Sequence, residues 1–400
     1  MKRFSKILLL TLFVLVFMVS SLLVFASSKE EEAPSKSKLA ATELQILKPD
    51  NVDEVQPINP KNVGPNGNPA SGVEDLVGIL TPADEEAVMN GNYTAAVALH
   101  TTAADWSILQ EAGIRAVLDK YNIELLVLTD AELKVEKQVG DIESIIELKP
   151  DLLIGFPVDR QANAAVFRKA ADAGITMSFI DTIPADFIYP RDYKGLGLAD
   201  NYEAGVVAAE IMAEEIDFKG KLGVMWFPFS MFHVDQRYYG IMDYLEQYSE
   251  IEVVDVQKPG NAEQAATIAE NWLIAYPDLT GIVAVWDQQA IGAAGVIDAS
   301  GKDVKVTGVD LSDDSAFMIA TSPSFIGVSS QHPYDQGIAE ALIGVVALAG
   351  KNPPPYVVVP IEKVTPKSLE RSYKRVFRKD PPSQLQKEID KLKAKGVIKD

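Results

Sequence analysis

Cysteine is missing from all 400 residues. Its absence excludes disulfides, zinc–thiolate centres and thiol nucleophiles, and it rules out a lipid-modified cysteine as a membrane tether. Histidine is scarce as well. The three residues never stand in His-x-His or His-Glu-x-x-His spacing, so no metal is expected. Positive charge is in deficit, with 37 Lys and Arg against 57 Asp and Glu and a formal charge of −20. Losing an N-terminal segment that carries Lys2, Arg3 and Lys6 would lower it to about −23. Phosphate recognition needs clustered cations, so nucleic acid is excluded as a partner. Catalytic signatures are also wanting. The stretch "GVMWFPFS" lacks a Gly-x-Ser-x-Gly turn, and no Gly-rich phosphate loop follows either first strand. Paired carboxylates of the glycosidase kind stay open on spacing alone. No catalytic residue is assigned and no cofactor is expected.

What is present begins with length and apolar content. Four hundred residues at 47% apolar exceed what one core usually serves, so two packed units are expected. Residues 1–26 read as an export signal: a basic start, an apolar run over 7–25, and cleavage after Ala26. The apolar run is nearly long enough to span a bilayer, which leaves an uncleaved anchor as the alternative. Residues 27–92 read as a linker and N-terminal extension. Its first dozen residues are charged and small, and the rest is rich in Pro, Asn and Gly, with one helix opening at Thr81 and Pro82.

From Tyr93 onward the chain repeats itself. "KPDLLIGFPVDRQANAA" at 149–165 returns as "YPDLTGIVAVWDQQAIGAA" at 276–294. Around each copy, short continuous apolar runs alternate with stretches of helical spacing, the pattern of a parallel sheet covered on both faces. Each copy is read as one α/β lobe.

Ligand-contacting loops of such sheets lie at the carboxyl ends of strands. Those positions hold His100 with Asp105 and Trp106, Phe156 with Asp159, Asp181, Trp226 with Phe232 and His233, Trp286 with Asp287, Asp310, and Gln331 to Pro333. Trp272 falls inside a helical pattern and is read as core. A lone aromatic at a strand end is most often packing, and Asp159, Asp181, Asp287 and Asp310 suit helix caps equally well. Arg237 near a helix start is poorly placed for the helix dipole. Taken together, flat rings beside carboxylates and a guanidinium suit a polyhydroxylated ligand, whose C–H faces lie on rings while hydroxyls meet Asp and Arg.

The export signal, the duplicated lobes and these strand-end residues resemble the type I periplasmic sugar-binding proteins, the ribose-binding-protein-like receptors of ABC importers, over roughly residues 93 to 370. The resemblance implies an α/β fold of two doubly wound parallel-sheet lobes joined by a three-stranded hinge. The N-terminal lobe would comprise 93–200 and 332–358, the C-terminal lobe 201–331 and 359–372, followed by a tail at 373–400. Crossings between lobes are expected near residues 198–201, 329–333 and 358–361. Carried over position by position, the ligand contacts fall on Asp105, Trp106, Phe156, Asp181, Arg237, Asn261, Trp286, Asp287, Asp310 and Gln331. With His100 and Asp159 from the strand ends, these are the expected site. Thr182 stands where the family has arginine, and Phe156 and Trp286 replace polar groups, so a sugar other than ribose or a polyol is favoured. The resemblance further implies a monomer outside the cytoplasmic membrane that meets the membrane only through an importer permease or an uncleaved N-terminus. An exported carbohydrate-active enzyme, or a receptor for a nucleoside or furanosyl autoinducer, is the alternative.

Overall fold

The computed structural model describes residues 52, 54–228 and 231–398. The expected export signal and the spacer behind it lie outside the described residues. Among those described, no helix is long and apolar enough to cross a membrane.

Most of the short apolar runs form strands buried on both faces, because helices return across each sheet after almost every strand. The first sheet holds β1 (Thr94–Leu99), β2 (Glu124–Asp130), β3 (Leu152–Gly155), β4 (Thr176–Ile180), β5 (Gly195–Ala199) and β11 (Tyr356–Val359). Its order is β11-β5-β4-β3-β1-β2, and every pairing is parallel. The second holds β6 (Gly220–Met225), β7 (Ile251–Gln257), β8 (Leu279–Ala284), β9 (Lys305–Val309), β10 (Phe325–Ser330) and β12 (Glu362–Val364), in the order β12-β10-β9-β8-β6-β7. The two orders are the same order repeated. Only β12 departs, pairing antiparallel with β10.

In the first lobe the intervening helices are α3 (Asp105–Lys120), α4 (Val135–Leu148), α5 (Ala164–Asp172) and α11 (Pro333–Leu348). In the second they are α6 (Asn201–Glu215), α7 (Phe232–Leu245), α8 (Ala262–Ala275), α9 (Asp287–Ser300) and α10 (Asp313–Thr321). Each first-lobe face has its own core, one around Ile114, Ile154 and Ile338, the other around Phe167, Phe179 and Tyr193. Each lobe also has helices in backbone contact. A Cβ on Gly113 would stand 2.0 Å from the Tyr334 carbonyl oxygen, and one on Gly205 1.9 Å from that of Arg237. Only glycine permits α3 to lie so close to α11, and α6 to α7.

From β1 onward the chain changes sheets three times: at Asp200 between β5 and α6, at Gln331 and His332 between β10 and α11, and at Pro360 and Ile361 between β11 and β12. Segments set aside in the sequence as linker and tail are built into this body. Helices α1 (Val73–Val77) and α2 (Pro82–Met89) bury Val73, Leu76 and Val88. Ahead of them, Lys363 N–H donates to the Glu54 carbonyl and Gln56 N–H to that of Ile361, while Ser71 exchanges backbone bonds with β11. Residues 54–71 therefore run from the edge of one sheet to the edge of the other. At the opposite end, α12 (Leu369–Phe377) and α13 (Ser383–Ala394) pack on α10, with Leu385 and Ile389 in the second-lobe core.

Candidate functional site

In both sheets the strand order reverses direction beside the first strand, between β1 and β3 and between β6 and β8, which opens a crevice at the strand ends. These two crevices face one cavity of about 450 Å³. His100, Asp105, Trp106, Phe156 and Asp181 line it from the first lobe, and Arg237, Trp286, Asp287 and Asp310 from the second. Gln331, on the middle crossing, completes the set.

Two of the residues expected here are elsewhere. Asp159 Oδ1 accepts the backbone N–H groups of Gln161 and Ala162, and Asn261 Oδ1 accepts that of Gln264 at the start of α8. Neither is among the cavity-lining residues. A short polar side chain ahead of a helix has its own N–H groups nearest to hand, and that local demand takes both side chains. Trp226 is also held away from the cavity lining. Its ring stacks on Tyr238 at 4.1 Å, its Nε1 donates to Asp235, and Lys258 Nζ stands 3.9 Å from its centroid. Trp272 is core, its Nε1 donating to Asp255.

Rings gather on the first-lobe side. His100 lies 4.0 Å from Phe156 and 5.8 Å from Trp106, and Trp106 meets Phe156 edge-on at 5.9 Å. Burial pushes the His100 imidazole down to about 4, although Asp130 pulls the other way, so it is neutral at pH 7. His233 also lines the cavity and is held at about 3 by burial, with Arg237 and His100 adding repulsion. Both imidazoles are hydrogen-bonding groups here, not charges. No cluster of metal-ligating side chains occurs among the described residues.

The carboxylates and the guanidinium come from both lobes. Asp181 follows β4 and Asp310 follows β9, the same place in each lobe, and both adopt left-handed backbone with φ of 52° and 82°. A non-glycine residue held there by its surroundings is a usual mark of a functional position. Asp310 accepts from Arg237 through both carboxylate oxygens and from Gln331 Nε2, while Gln331 Oε1 accepts from Gln336 on α11. This relay ties a second-lobe guanidinium to a first-lobe helix across the middle crossing. Arg237 further donates from Nε to Asn201 Oδ1 at 2.8 Å and from Nη1 to the Val285 carbonyl at 3.0 Å.

Asp287, 2% exposed, accepts from the Ser312 hydroxyl, and Asp181, 6% exposed, has a buried Oδ1 with no hydrogen-bond partner. Burial raises both carboxyls to about 7. Asp310 raises each further, whereas Arg237 opposes the shift at Asp181. A buried acceptor without a donor is costly, so the Asp181 oxygen is a place for a ligand hydroxyl or other donor.

Sequence reasoning missed the contributions of α12. Val376 and Phe377, in the segment read as a tail, line the cavity beside Leu109 and Leu311. The 4-3-1 spacing of Leu369, Tyr373, Val376 and Phe377 signals an amphipathic helix, but not where it docks.

Comparison with known proteins follows the same outline. Residues 95–352 match the model of the periplasmic binding protein domain. A putative rhizopine-binding protein of Rhizobium meliloti is 27% identical over 61% of this chain and 81% of its own length. A xylitol-binding protein of Mycolicibacterium smegmatis is 26% identical over 60% of this chain and 69% of its own. Among solved structures, a periplasmic solute-binding protein from Actinobacillus succinogenes with bound D-allose superposes with a TM-score of 0.61 at 25% identity, covering 70% of this chain and 99% of that one.

Proposed function

Since this chain belongs to the periplasmic binding protein family, we propose that it is an extracytoplasmic receptor that captures a monosaccharide or related polyol between its two lobes and presents it to the permease of an ABC importer. The observation that carries the reading is the cavity itself. The rings of Trp106, Phe156 and Trp286, together with Asp181, Asp287, Asp310 and Arg237, match the C–H faces and hydroxyls of such a ligand. Relatives whose names specify ribose, allose, apiose and xylitol support the same ligand class.

The groups come from both lobes, so a ligand touching both sets favours the closed arrangement over the open one. Turning 1:99 closed into 99:1 needs about 5.5 kcal/mol of differential binding. Two or three charge-assisted hydrogen bonds at about 1.5–3 kcal/mol each supply that amount. The three chain crossings would serve as the hinge. We place the receptor outside the cytoplasmic membrane as a monomer without catalytic activity. The pairing of Asp310 with Arg237, which engages both carboxylate oxygens, fits binding better than bond cleavage.

The test incubates purified protein with D-ribose, D-allose, D-apiose and xylitol, follows thermal unfolding, and recovers the ligand afterwards. A ligand at 100 times its Kd stabilises by about 2.7 kcal/mol and returns unchanged. Sustained product formation from any of them contradicts the reading.

A further inference from the structure

On this receptor reading, we infer that helix α12 is a third part of the ligand site, with Phe377 a specificity-determining residue and Arg378 a clasp between the lobes. Helix α12 lies beyond residue 352, where the match to the family model ends. It is fixed to the second lobe by packing on α10 and β12, and Tyr373 donates its hydroxyl to Asp313 at the start of α10. Tyr373 in turn supports the Phe377 ring at 4.4 Å.

Val376 and Phe377 turn toward the cavity from there. They share one apolar cluster with Leu311, and Leu109 of the first-lobe helix α3 packs against it. All four line the cavity, so one of its walls is apolar and draws on both lobes. A ligand hydroxyl set against that wall would exchange water for carbon and lose its hydrogen bond. The ligand therefore turns a C–H edge to Phe377 and its hydroxyls to the carboxylates.

Immediately after Phe377 the chain reaches the other lobe. The Arg378 guanidinium carbon stands 3.7 Å from the Tyr334 ring centroid, and Nη2 is 3.2 Å from Asp335 Oδ1. Both partners sit at the start of α11, which packs on the first sheet. A cation stacked on a ring and paired with a carboxylate holds the lobes together independently of what fills the cavity.

The experiment uses the full mature chain with Phe377→Ala, Phe377→Leu and Arg378→Gln. Calorimetric titration with D-ribose, D-allose, D-apiose and xylitol reads affinity, and small-angle scattering without sugar reads the separation of the lobes. Each probe that binds the parent should bind Phe377→Ala at least about tenfold more weakly, with Phe377→Leu in between. Arg378→Gln should enlarge the radius of gyration in the absence of sugar. A Phe377→Ala affinity within twofold of the parent overturns the wall, and an unchanged radius for Arg378→Gln overturns the clasp. If no probe binds the parent, the receptor reading and the Phe377 assignment fall together, while scattering still decides the clasp.

Discussion

Asp310 grips Arg237 with both carboxylate oxygens, Oδ2 2.9 Å from Nη1 and Oδ1 3.3 Å from Nη2. Arg237 is 4% exposed, whereas the Asp310 side chain is 24% exposed, so the pair is only partly withdrawn from water. Arg237→Ala strips donors from Asp310, Asn201 and the Val285 carbonyl at once. Loss of these charge-assisted hydrogen bonds costs about 1.5–3 kcal/mol, and urea denaturation should find the variant destabilised by that order. Sugar binding should weaken in parallel. Arg237→Lys should recover little, because a single ammonium cannot reproduce the fork.

Asp181 sets a pH dependence whose sign is fixed by burial. Its folded pKa is raised to about 7 from an unfolded value of 3.8, so the folded state holds a proton that the unfolded state has lost between those values. Stability from this group is complete below about pH 4 and falls as pH rises toward 7. Asp181→Asn removes the penalty. Near pH 4 the variant and parent should be equally stable, and at pH 8 the variant should be the more stable by on the order of 2–4 kcal/mol. Chemical denaturation at the two pH values checks this, and a constant difference would refute it.

Asn62 fastens the N-terminal extension to the first crossing. Its Nδ2 donates to Asp200 Oδ1 at 2.8 Å, and its Oδ1 accepts from the Tyr356 hydroxyl at 2.8 Å, all within the interior. Asn62→Ala leaves both partners short of a bond, at about 1–3 kcal/mol. Tyr356→Phe removes only one partner and should be the milder change. Thermal melts of the two variants decide.

Gly113 and Gly140 both lie inside first-lobe helices and should respond to alanine in opposite directions. At Gly113 the new methyl meets the Tyr334 carbonyl at 2.0 Å, and forcing α3 from α11 costs about 1–3 kcal/mol or more. At Gly140 nothing lies within 4 Å, and alanine gains about 0.5–1 kcal/mol of helix propensity. Denaturation midpoints should move down for the first and up for the second.

The fold was largely readable because parallel α/β lobes write themselves in continuous apolar strands and 3.6-residue stripes, as in Ile114, Val117 and Leu118 of α3. Strand β5, "GLGLA", is not among the strands read from sequence, since two glycines in five residues remove the usual apolar signature. The site was less legible for a related reason. A carboxylate after a strand is the same letter whether it caps a turn, as Asp159 does, or faces a cavity, as Asp181 does. The choice is made by the neighbouring lobe, which local spacing does not describe. Phe377 lies further still from any local cue, because its role depends on the docking of α12 against α10.

The three crossings also govern the order in which the protein can be made. A chain emerging from the ribosome delivers β1 to β5 first, yet the edge strand β11 and the glycine-fitted helix α11 of that same sheet arrive only after β6 to β10 of the second lobe. Domains commonly fold as units, N-terminal first, during synthesis. Here the N-terminal lobe must wait with one sheet edge bare and one face only partly covered until β11 and α11 are released. The second lobe likewise lacks β12, α12 and α13 until the end. Both lobes are therefore completed together, and a nascent chain stalled before residue 356 would expose the unpaired edge of β5 to chaperones or to other chains.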